Sequence, residues 1–230
     1  MKIIGFQKTT LLDFPGKVAA TIFTPGCNFR CPYCQNGDIL VPGEDIEPFT
    51  EEEVLTTLEK RKGVLDGVCI TGGECTLQKD LPDFIRKVRA LGLLVKLDTN
   101  GTNPSMLKSL LEENLIDYVA IDIKQCKEKY NTIACMNNFK LEDIEESVSM
   151  LINGNVDYEF RTTVADNLMS TDDFEKIGQW IKGAKAYYLQ QYKESAFVLD
   201  KSCTVPSKDT LESYVNHLSE YVPTFIRGVD

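Results

Sequence analysis

The sequence is poor in histidine and in basic residues, and it has no long hydrophobic run. The single histidine, His217, leaves little material for Ser-His or ordinary histidine acid–base catalysis. The 25 lysine and arginine residues face 35 aspartate and glutamate residues, and the net charge of −10 argues against nonspecific binding to nucleic acid or anionic membranes. No apolar run approaches the roughly 20 residues of a membrane-spanning helix. We therefore predict no nucleic-acid partner and no membrane partner.

Other features are missing as well. Residues 1–8 turn polar at once and contain no long apolar segment of the kind found in secretory leaders, which predicts a cytoplasmic location. In that compartment, eight cysteines indicate metal or redox chemistry before disulfides. Low-complexity linkers, long charge runs and internal repeats are absent. With 230 residues, 43% of them hydrophobic, the sequence predicts a single domain over residues 1–230.

Six apolar runs typical of β-strands alternate with helix-like segments. The runs cover residues 18–23, 64–70, 93–97, 118–123, 158–164 and 186–189. Thr50 with Glu53 forms a capping-box pattern, and Asn103 before Pro104 is typical of a helix start. Similar starts stand at 80–82 and 171–173, and residues 207–222 have helical apolar spacing. This alternation predicts an α/β fold with a parallel sheet, open or curled into a barrel, and outer helices.

Polar and glycine-rich clusters follow the predicted strands. Parallel α/β folds place their working sites at this carboxyl edge of the sheet. The clusters are residues 27–34 after the first strand, 71–74 after the second, 98–101 after the third, Asp122 and Lys124 at the fourth, Arg161 in the fifth and 190–192 after the sixth. We therefore predict one site that collects these residues.

The first cluster contains three closely spaced cysteines, Cys27, Cys31 and Cys34. Three thiolates hold a metal centre but leave one coordination position open, whereas four close it. One alternative is a zinc site with a distant fourth ligand, for which Cys69, Cys75 and His217 are candidates. Another is a set of buried free thiols. The third is an iron–sulfur cluster with an open fourth iron, and this is the alternative that we favour.

This Cys-x3-Cys-x2-Cys spacing, with Tyr33 directly before the last cysteine, resembles the signature of the radical S-adenosylmethionine (SAM) enzymes. Within that group the chain resembles the activating enzymes of glycyl-radical proteins, most of all those of anaerobic ribonucleoside-triphosphate reductases. Matching segments occur in order along nearly the whole chain. They are residues 5–9 (GFQKT), 12–17 (LDFPGK), 71–74 (TGGE), 97–101 (LDTNG), 122–124 (DIK) and 160–164 (FRTTV).

The resemblance implies a partial (β/α)6 barrel in which Cys27, Cys31 and Cys34 hold a [4Fe–4S] cluster. It implies that the amine and carboxylate of SAM bind the fourth iron, and that an electron cleaves SAM to give a 5′-deoxyadenosyl radical. The radical would take hydrogen from a glycine of a partner glycyl-radical enzyme, anaerobic ribonucleotide reductase, with flavodoxin or ferredoxin as electron donor. The cofactors carry this chemistry, so a chain with one histidine suffices.

The resemblance also implies which residues contact the cofactor. Gly72 and Gly73 would let the backbone approach SAM, unless they simply form a turn. Glu74 would orient that loop or be an exposed acid. The remaining implied contacts are Tyr33 and Asn36 near the adenosyl portion, and Gln191 at the last strand.

Charged residues complete the implied site. Lys124 and Arg161 would pair with the carboxylate or ribose of SAM, the alternative being a structural ion pair with Asp122. Asp98 and Asp122 would repel each other unless a cation or donor separates them, and with Thr99 they are implied to bind a monovalent cation. The alternative without a bound cation is that the two acids are hydrogen-bonded or cap helices.

Two positions and one segment depart from the family pattern, the segment being residues 127–134 between Cys126 and Cys135. Relatives commonly carry histidine where this chain has Gln35, and proline where it has Cys75. Cysteine cannot stiffen a turn as proline does, so the rigidity of that loop is expected to differ. Cys126 and Cys135, together with Cys69 and Cys203, either bind an auxiliary cluster or are scattered buried thiols, and we favour the second alternative. With Cys75, these are the five cysteines outside the cluster segment.

The sequence thus predicts a radical SAM activase of a glycyl-radical enzyme. Three alternatives remain open at this point. The partner is another glycyl-radical protein, such as one of the pyruvate formate-lyase type; the substrate is a small molecule; or the chain is a non-catalytic zinc or iron–sulfur module. His217 is expected to be a core or surface residue without a role in the site.

Overall fold

The computed structural model describes residues 1–40, 47–135 and 139–229. Its strands are β1 (Gly5–Thr10), β2 (Ala19–Thr24), β3 (Gly67–Gly72), β4 (Leu94–Thr99), β5 (Tyr118–Asp122), β6 (Asp157–Val164), β7 (Tyr187–Gln191) and β8 (Thr224–Arg227). Its helices are α1 (Gly37–Leu40), α2 (Glu51–Arg61), α3 (Leu81–Ala90), α4 (Pro104–Glu112), α5 (Tyr130–Ala134), α6 (Leu141–Ile152), α7 (Thr171–Trp180) and α8 (Lys208–Leu218). Strands and helices alternate from β3 onward, as in other α/β proteins.

The chain divides into two compact units, the first of which contains Met1–Cys27, Asp38–Thr99 and Asn103–Val119. Strand β1 pairs antiparallel with β2, while β2–β3 and β3–β4 are parallel pairs. Helices α2, α3 and α4 each bury one apolar face; the buried residues include Val54, Leu58, Phe84, Ile85, Val88, Leu107 and Leu110. The ends of β2, β3 and β4 therefore lie at one edge of the sheet of this unit.

The second unit contains Asn28–Gly37, Asn100–Thr102 and Ala120–Asp230. Here β6–β7 and β7–β8 are parallel pairs, and α7 and α8 contact each other. The side chains that these elements bury completely include Phe160, Leu189, Phe174, Ile177, Leu211 and Leu218. The chain passes from the first unit to the second within β5. The Asp117 N–H donates to the Val95 carbonyl at 2.8 Å in the first unit, and the Ile123 N–H donates to the Arg161 carbonyl at 2.7 Å in the second.

The six predicted strands are all present, with ends shifted by up to three residues. The predicted capping box at Thr50 and Glu53 is confirmed, and Asn103 accepts a hydrogen bond from the Met106 N–H before Pro104. Helix α8 ends at Leu218 and is shorter than predicted. Strands β1 and β8 were not predicted. The single domain over residues 1–230 stays a prediction.

Candidate functional site

The cysteine segment follows β2. Gly26 has φ +79°, a left-handed conformation that glycine adopts without strain, and its N–H donates to the Ile39 carbonyl at 2.9 Å. The Cys34 N–H donates to the Cys31 carbonyl at 3.0 Å, so these two cysteines flank one tight turn. Cys31 is buried, while Cys27 and Cys34 are half-buried, and none of the three forms a disulfide. The segment therefore places three cysteines outside any disulfide within eight residues.

The chemistry of these donors fits an iron–sulfur cluster. Each iron of a cluster takes one protein thiolate, so the three sulfurs do not have to meet at one point. Over residues 1–40, 47–135 and 139–229, no three His, Cys, Asp or Glu side chains lie close enough together to hold a single metal ion. All eight cysteines are free of disulfides, which leaves the three thiols available to bind iron.

Tyr33 gives a second indication of a bound group. Its side chain is buried, and within the described part of the chain its hydroxyl has no hydrogen-bond partner. Burial raises the pKa of this hydroxyl well above its ordinary value, against a smaller opposing effect of Lys124, so the hydroxyl keeps its proton. A buried hydroxyl without a partner costs about 1–3 kcal/mol. The contact of Tyr33 with the cofactor stays a prediction, and the orphaned hydroxyl favours it.

Gly72 and Gly73 lie at the end of β3, against the backbone that leads to Cys27. The Gly73 N–H donates to the Thr24 carbonyl at 2.9 Å. A Cβ on Gly72, whose φ is +132°, would lie 2.3 Å from the Thr24 nitrogen, and a Cβ on Gly73 would lie 1.8 Å from the Gly26 carbonyl oxygen. Both glycines thus have a reason to be glycine that does not involve a ligand. Their contact with SAM stays a prediction.

Glu74 is a buried carboxylate that joins two loops of the first unit. It is 1% exposed, and its Oε1 accepts hydrogen bonds from the Thr76 N–H at 3.1 Å, the Thr76 hydroxyl at 2.6 Å and the Thr99 hydroxyl at 2.7 Å. The expectation that Glu74 orients its loop therefore agrees with the structure, and an exposed acid does not. Thr99, at the end of β4, is held in place by Glu74.

Cys75 is completely buried and makes a structural contact. Its thiol donates to the Asp98 carbonyl at 3.2 Å, which joins the loop after β3 to the end of β4. Burial raises the pKa of the Cys75 thiol well above its ordinary value, and Glu74 and Asp98 raise it further. A thiol that keeps its proton is a poor metal ligand. The cysteine thus secures the loop after β3 by hydrogen bonding.

Asp98 has a cation partner on its own strand. Its carboxylate pairs with Lys96, a residue that is only 1% exposed, so the negative charge of Asp98 is balanced within the first unit. The tendency of Asp98 to repel other carboxylates is reduced by this pair. The monovalent cation near Asp98 and Asp122 stays a prediction.

Asp122 lies between two basic side chains of the second unit. Arg161 Nε is 2.9 Å from Oδ1, and Lys124 Nζ is 3.2 Å from Oδ2. Burial would raise the pKa of Asp122, but Arg161 and Lys124 outweigh it and hold the pKa well below its usual range. Burial would lower the pKa of Lys124, and Asp122 instead raises it well above its ordinary value. Lys124 and Arg161 thus both form the ion pair with Asp122 that was the alternative to a contact with SAM. The contact of these two residues with SAM stays a prediction.

Two charged residues that were not predicted from the sequence, Glu159 and Arg227, lie next to Arg161. Glu159 is fully buried and binds the Arg227 guanidinium through both carboxylate oxygens, each at 2.7 Å. Arg161 Nη1 lies 4.0 Å from Glu159. Because alternate strand residues share a face, Glu159 and Arg161 of β6 point the same way. Charged residues at every second position of β6, Asp157, Glu159 and Arg161, were the signal for Glu159. Arg227, 68 residues away, had none.

Replacing Glu159 with glutamine is expected to lower the free energy of unfolding of the cluster-free protein by about 2–3 kcal/mol, because it leaves the Arg227 guanidinium without its counter-charge. The expected loss of stability is smaller than for a fully buried ion pair because the Arg227 side chain is 32% exposed. Urea unfolding followed by circular dichroism measures the change. Glu146→Gln, an exposed glutamate of α6, is the matched control. Equal stability of the two variants would contradict the prediction.

The loop after β7 meets the cysteine segment within the second unit. Gln35 Nε2 donates to the Lys193 carbonyl at 2.8 Å, and the Asp200 N–H donates to the Pro32 carbonyl at 2.9 Å. Gln191 donates to the Pro206 carbonyl at 2.9 Å and so secures the same loop. Asn36 is half-buried in the turn before α1. The cofactor contacts of Gln191 and Asn36 stay predictions.

The remaining cysteines occupy separate elements. Cys69, Cys75, Cys126 and Cys203 are buried, whereas Cys135 is exposed. Burial raises the pKa of Cys126 and of Cys203. Four of the five residues therefore agree with the expectation of scattered buried thiols. His217 is an exposed residue of α8, which agrees with the expected surface position.

Comparisons with known proteins agree with this arrangement. The model of the Radical SAM superfamily matches residues 21–181. A Methanocaldococcus jannaschii protein named "Putative glycyl-radical enzyme activating enzyme" is 32% identical over 97% of this chain and 94% of its own length. The chain belongs to the radical SAM superfamily and, within it, to the family of glycyl-radical enzyme activating enzymes. The prediction of a radical SAM enzyme is confirmed.

Solved structures confirm the fold. Streptococcus suis SuiB bound to S-adenosylmethionine matches 90% of this chain with a TM-score of 0.69 and 13% identity. The match covers 52% of the SuiB chain, so this chain spans about half of SuiB. Escherichia coli QueE matches 99% of this chain and 94% of its own, with a TM-score of 0.61 and 15% identity. The predicted α/β fold of the radical SAM type, a partial barrel, is therefore confirmed.

Nowhere in the described ranges does a helix combine the length and the apolar character that crossing a bilayer requires.

Proposed function

We propose that this chain reductively cleaves S-adenosylmethionine and installs a glycyl radical in a partner enzyme. The observation that carries the proposal is the segment with three cysteines outside any disulfide, Cys27, Cys31 and Cys34, in a chain that is 32% identical to a protein named "Putative glycyl-radical enzyme activating enzyme". The three thiolates would bind a [4Fe–4S] cluster and leave one iron open to SAM. The radical SAM family implies both groups.

When bound, the reduced cluster and SAM supply a 5′-deoxyadenosyl radical that takes a hydrogen atom from a glycine Cα. The residues of this chain bind and orient the cofactor and exclude water. Tyr33, whose buried hydroxyl retains its proton, would donate a hydrogen bond to the adenosyl portion. Glu74 would keep the Thr99 hydroxyl in one orientation. Lys124 and Arg161, both fixed by Asp122, would offer positive charge to the SAM carboxylate.

The remaining residues proposed to bind the cofactor are Asn36, Gly72, Gly73, Asp98 and Gln191. Asp98 and Asp122 are proposed to hold a monovalent cation, each with the basic partners already described. Residues 1–230 are proposed to form a single radical SAM domain. A flavodoxin or ferredoxin is the proposed electron donor.

The proposed partner is an anaerobic ribonucleoside-triphosphate reductase. The segments GFQKT at residues 5–9 and LDFPGK at residues 12–17 support it, because they resemble activating proteins of those reductases. In this structure the two segments form β1 and the turn that follows it, in which Phe14 is buried and Leu12 is 88% exposed. A reductase and a lyase of the pyruvate formate-lyase type are the partners to compare.

The test is an anaerobic incubation of the reduced, cluster-loaded protein and SAM with each inactive partner. We expect an electron paramagnetic resonance (EPR) signal of a glycyl radical with the reductase and none with the lyase, together with 5′-deoxyadenosine. The matched control contains the Cys31→Ala variant. A signal only with the lyase would assign the other partner, and 5′-deoxyadenosine without any glycyl signal would contradict activation of either protein.

A further inference from the structure

Three polar side chains of the second unit form a closed ring of hydrogen bonds. Asn28 Nδ2 donates to the Thr102 hydroxyl at 2.8 Å, and that hydroxyl donates to Asn100 Oδ1 at 2.7 Å. Asn100 Nδ2 in turn donates to Asn28 Oδ1 at 2.8 Å. Each member of the ring therefore both donates and accepts a hydrogen bond within it. We call Asn28, Asn100 and Thr102 the amide ring.

The ring is fixed to the rest of the second unit through residues 100–102. The Thr102 N–H also donates to Asn100 Oδ1, at 3.0 Å, which closes a local turn. The buried hydroxyl of Ser147, in α6, donates to the Gly101 carbonyl at 2.7 Å. Gly101 has φ +79°, and a Cβ there would lie 3.4 Å from Ile121. The hydrogen bond from α6 thus holds the turn from which the ring reaches Asn28.

Two members of the amide ring directly follow residues of the proposed site in the sequence. Asn28 directly follows Cys27, the first of the three cysteines, and Asn100 directly follows Thr99. Asn28 contributes no thiolate, so binding of a cluster does not explain its residue type. The Asn28 amide instead joins two segments: the one that follows Cys27, a proposed cluster ligand, and the one that follows Thr99, which is proposed to bind SAM.

We infer that the amide ring is a positioning device for S-adenosylmethionine: it holds the start of the cysteine segment in register with the end of β4, so that SAM meets the open iron and the Thr99 segment together. The inference rests on the proposed function. The three side chains act through Cys27 and Thr99 and are positioning residues. Without the ring the chain still offers three thiolates, so the cluster forms but SAM binds more weakly.

The variants are Asn28→Ala and Thr102→Val, which removes one hydroxyl at nearly constant volume, with Thr102→Ser as the conservative variant. Asn216→Ala, an exposed asparagine of α8, is the matched control. Cluster-loaded protein is titrated anaerobically with SAM, and the change in the EPR spectrum of the reduced cluster gives Kd. We expect about four irons per chain in every variant. We expect Kd to rise about tenfold for Asn28→Ala and Thr102→Val, and to stay within about twofold for Thr102→Ser and Asn216→Ala, because a ring that retains its hydroxyl keeps its bonds.

A second measurement uses the full chain without cluster or SAM. Urea unfolding of the two single variants and of the double variant shows whether the residues act as a unit. We expect the double variant to be no less stable than the less stable single variant, since either change opens the same ring. Additive effects would overturn the ring. Equal Kd values in the wild type and in Asn28→Ala would overturn the positioning role alone, whereas a wild type that binds a cluster but no SAM would overturn the proposed function as well.

Discussion

Replacing Cys31 with alanine is expected to remove the iron–sulfur chromophore and to lower SAM cleavage by more than about 100-fold. Changing even the residues behind a metal ligand costs 10–100-fold in affinity or activity, and Cys31 is proposed as a ligand itself. Two thiols within one segment would be left to hold a cluster that normally has three. The measurements are the visible spectrum, the iron and sulfide content and the yield of 5′-deoxyadenosine after anaerobic reconstitution.

The control for this variant is Cys203→Ala. Cys203 is 3% exposed and Cys31 is 6% exposed, so both substitutions remove one buried sulfur, but burial raises the pKa of the Cys203 thiol and keeps it protonated. We expect Cys203→Ala to retain cluster and cleavage, and both variants to keep a folded circular dichroism spectrum. An unchanged visible spectrum of Cys31→Ala would contradict the assignment of the cluster ligands.

Gly73→Ala is expected to lower the free energy of unfolding by about 3 kcal/mol and to abolish SAM binding. The added Cβ would lie 1.8 Å from the Gly26 carbonyl oxygen and 2.4 Å from the Gly26 carbonyl carbon. Both are backbone atoms, which cannot rotate away, so β3 and the segment before Cys27 must separate. Insertion into a packed backbone contact costs about 1–3 kcal/mol or more. The hydrogen bond from the Glu74 N–H to the Gly26 carbonyl, 2.7 Å long, would be lost as well.

Gly63→Ala is the matched glycine control. No atom lies within 4 Å of a Cβ built on Gly63, and the residue has no positive φ. Its stability should change by less than about 0.5 kcal/mol, as for other surface substitutions. Urea unfolding and SAM titration compare the two variants. If Gly73→Ala behaved like Gly63→Ala, the close backbone contact at Gly73 would be disproved.

Local features of the fold were predictable from the sequence. The capping box at Thr50 and Glu53 and the start at Asn103 and Pro104 depend on residues within a few positions of each other, and both are confirmed. Strand β8 was missed because four residues, TFIR, carry too little pattern and obtain their pairing from β7. Strand β1 was missed because GFQKTT is largely polar and its partner stands after a turn.

The sequence indicated which residues belong to the candidate site, but not which groups each of them contacts. The sequence indicated Asp122, Lys124 and Arg161 as members of one site, and the structure brings these three together as an ion-paired group. It indicated Gly72 and Gly73 as positions of close approach, but the neighbouring atoms turned out to be backbone of Thr24 and Gly26.

Contacts between distant parts of the chain had no such signal. Arg227 binds Glu159 from 68 positions away, and Asn100 binds Asn28 from 72 positions away. Such pairs depend on which strands and loops the folded chain places side by side, and a single sequence does not contain that information in its local pattern.

The amide of Gln35, which directly follows the third cysteine, donates to the Lys193 carbonyl. An imidazole there would gain and lose a proton between about pH 5 and 8, so the charge beside the cysteines proposed to bind iron would change with pH. An amide has no such titration. In this protein the hydrogen bond between the cysteine segment and the loop after β7 therefore carries no titratable charge at physiological pH. A fall in pH does not weaken the contact through this residue.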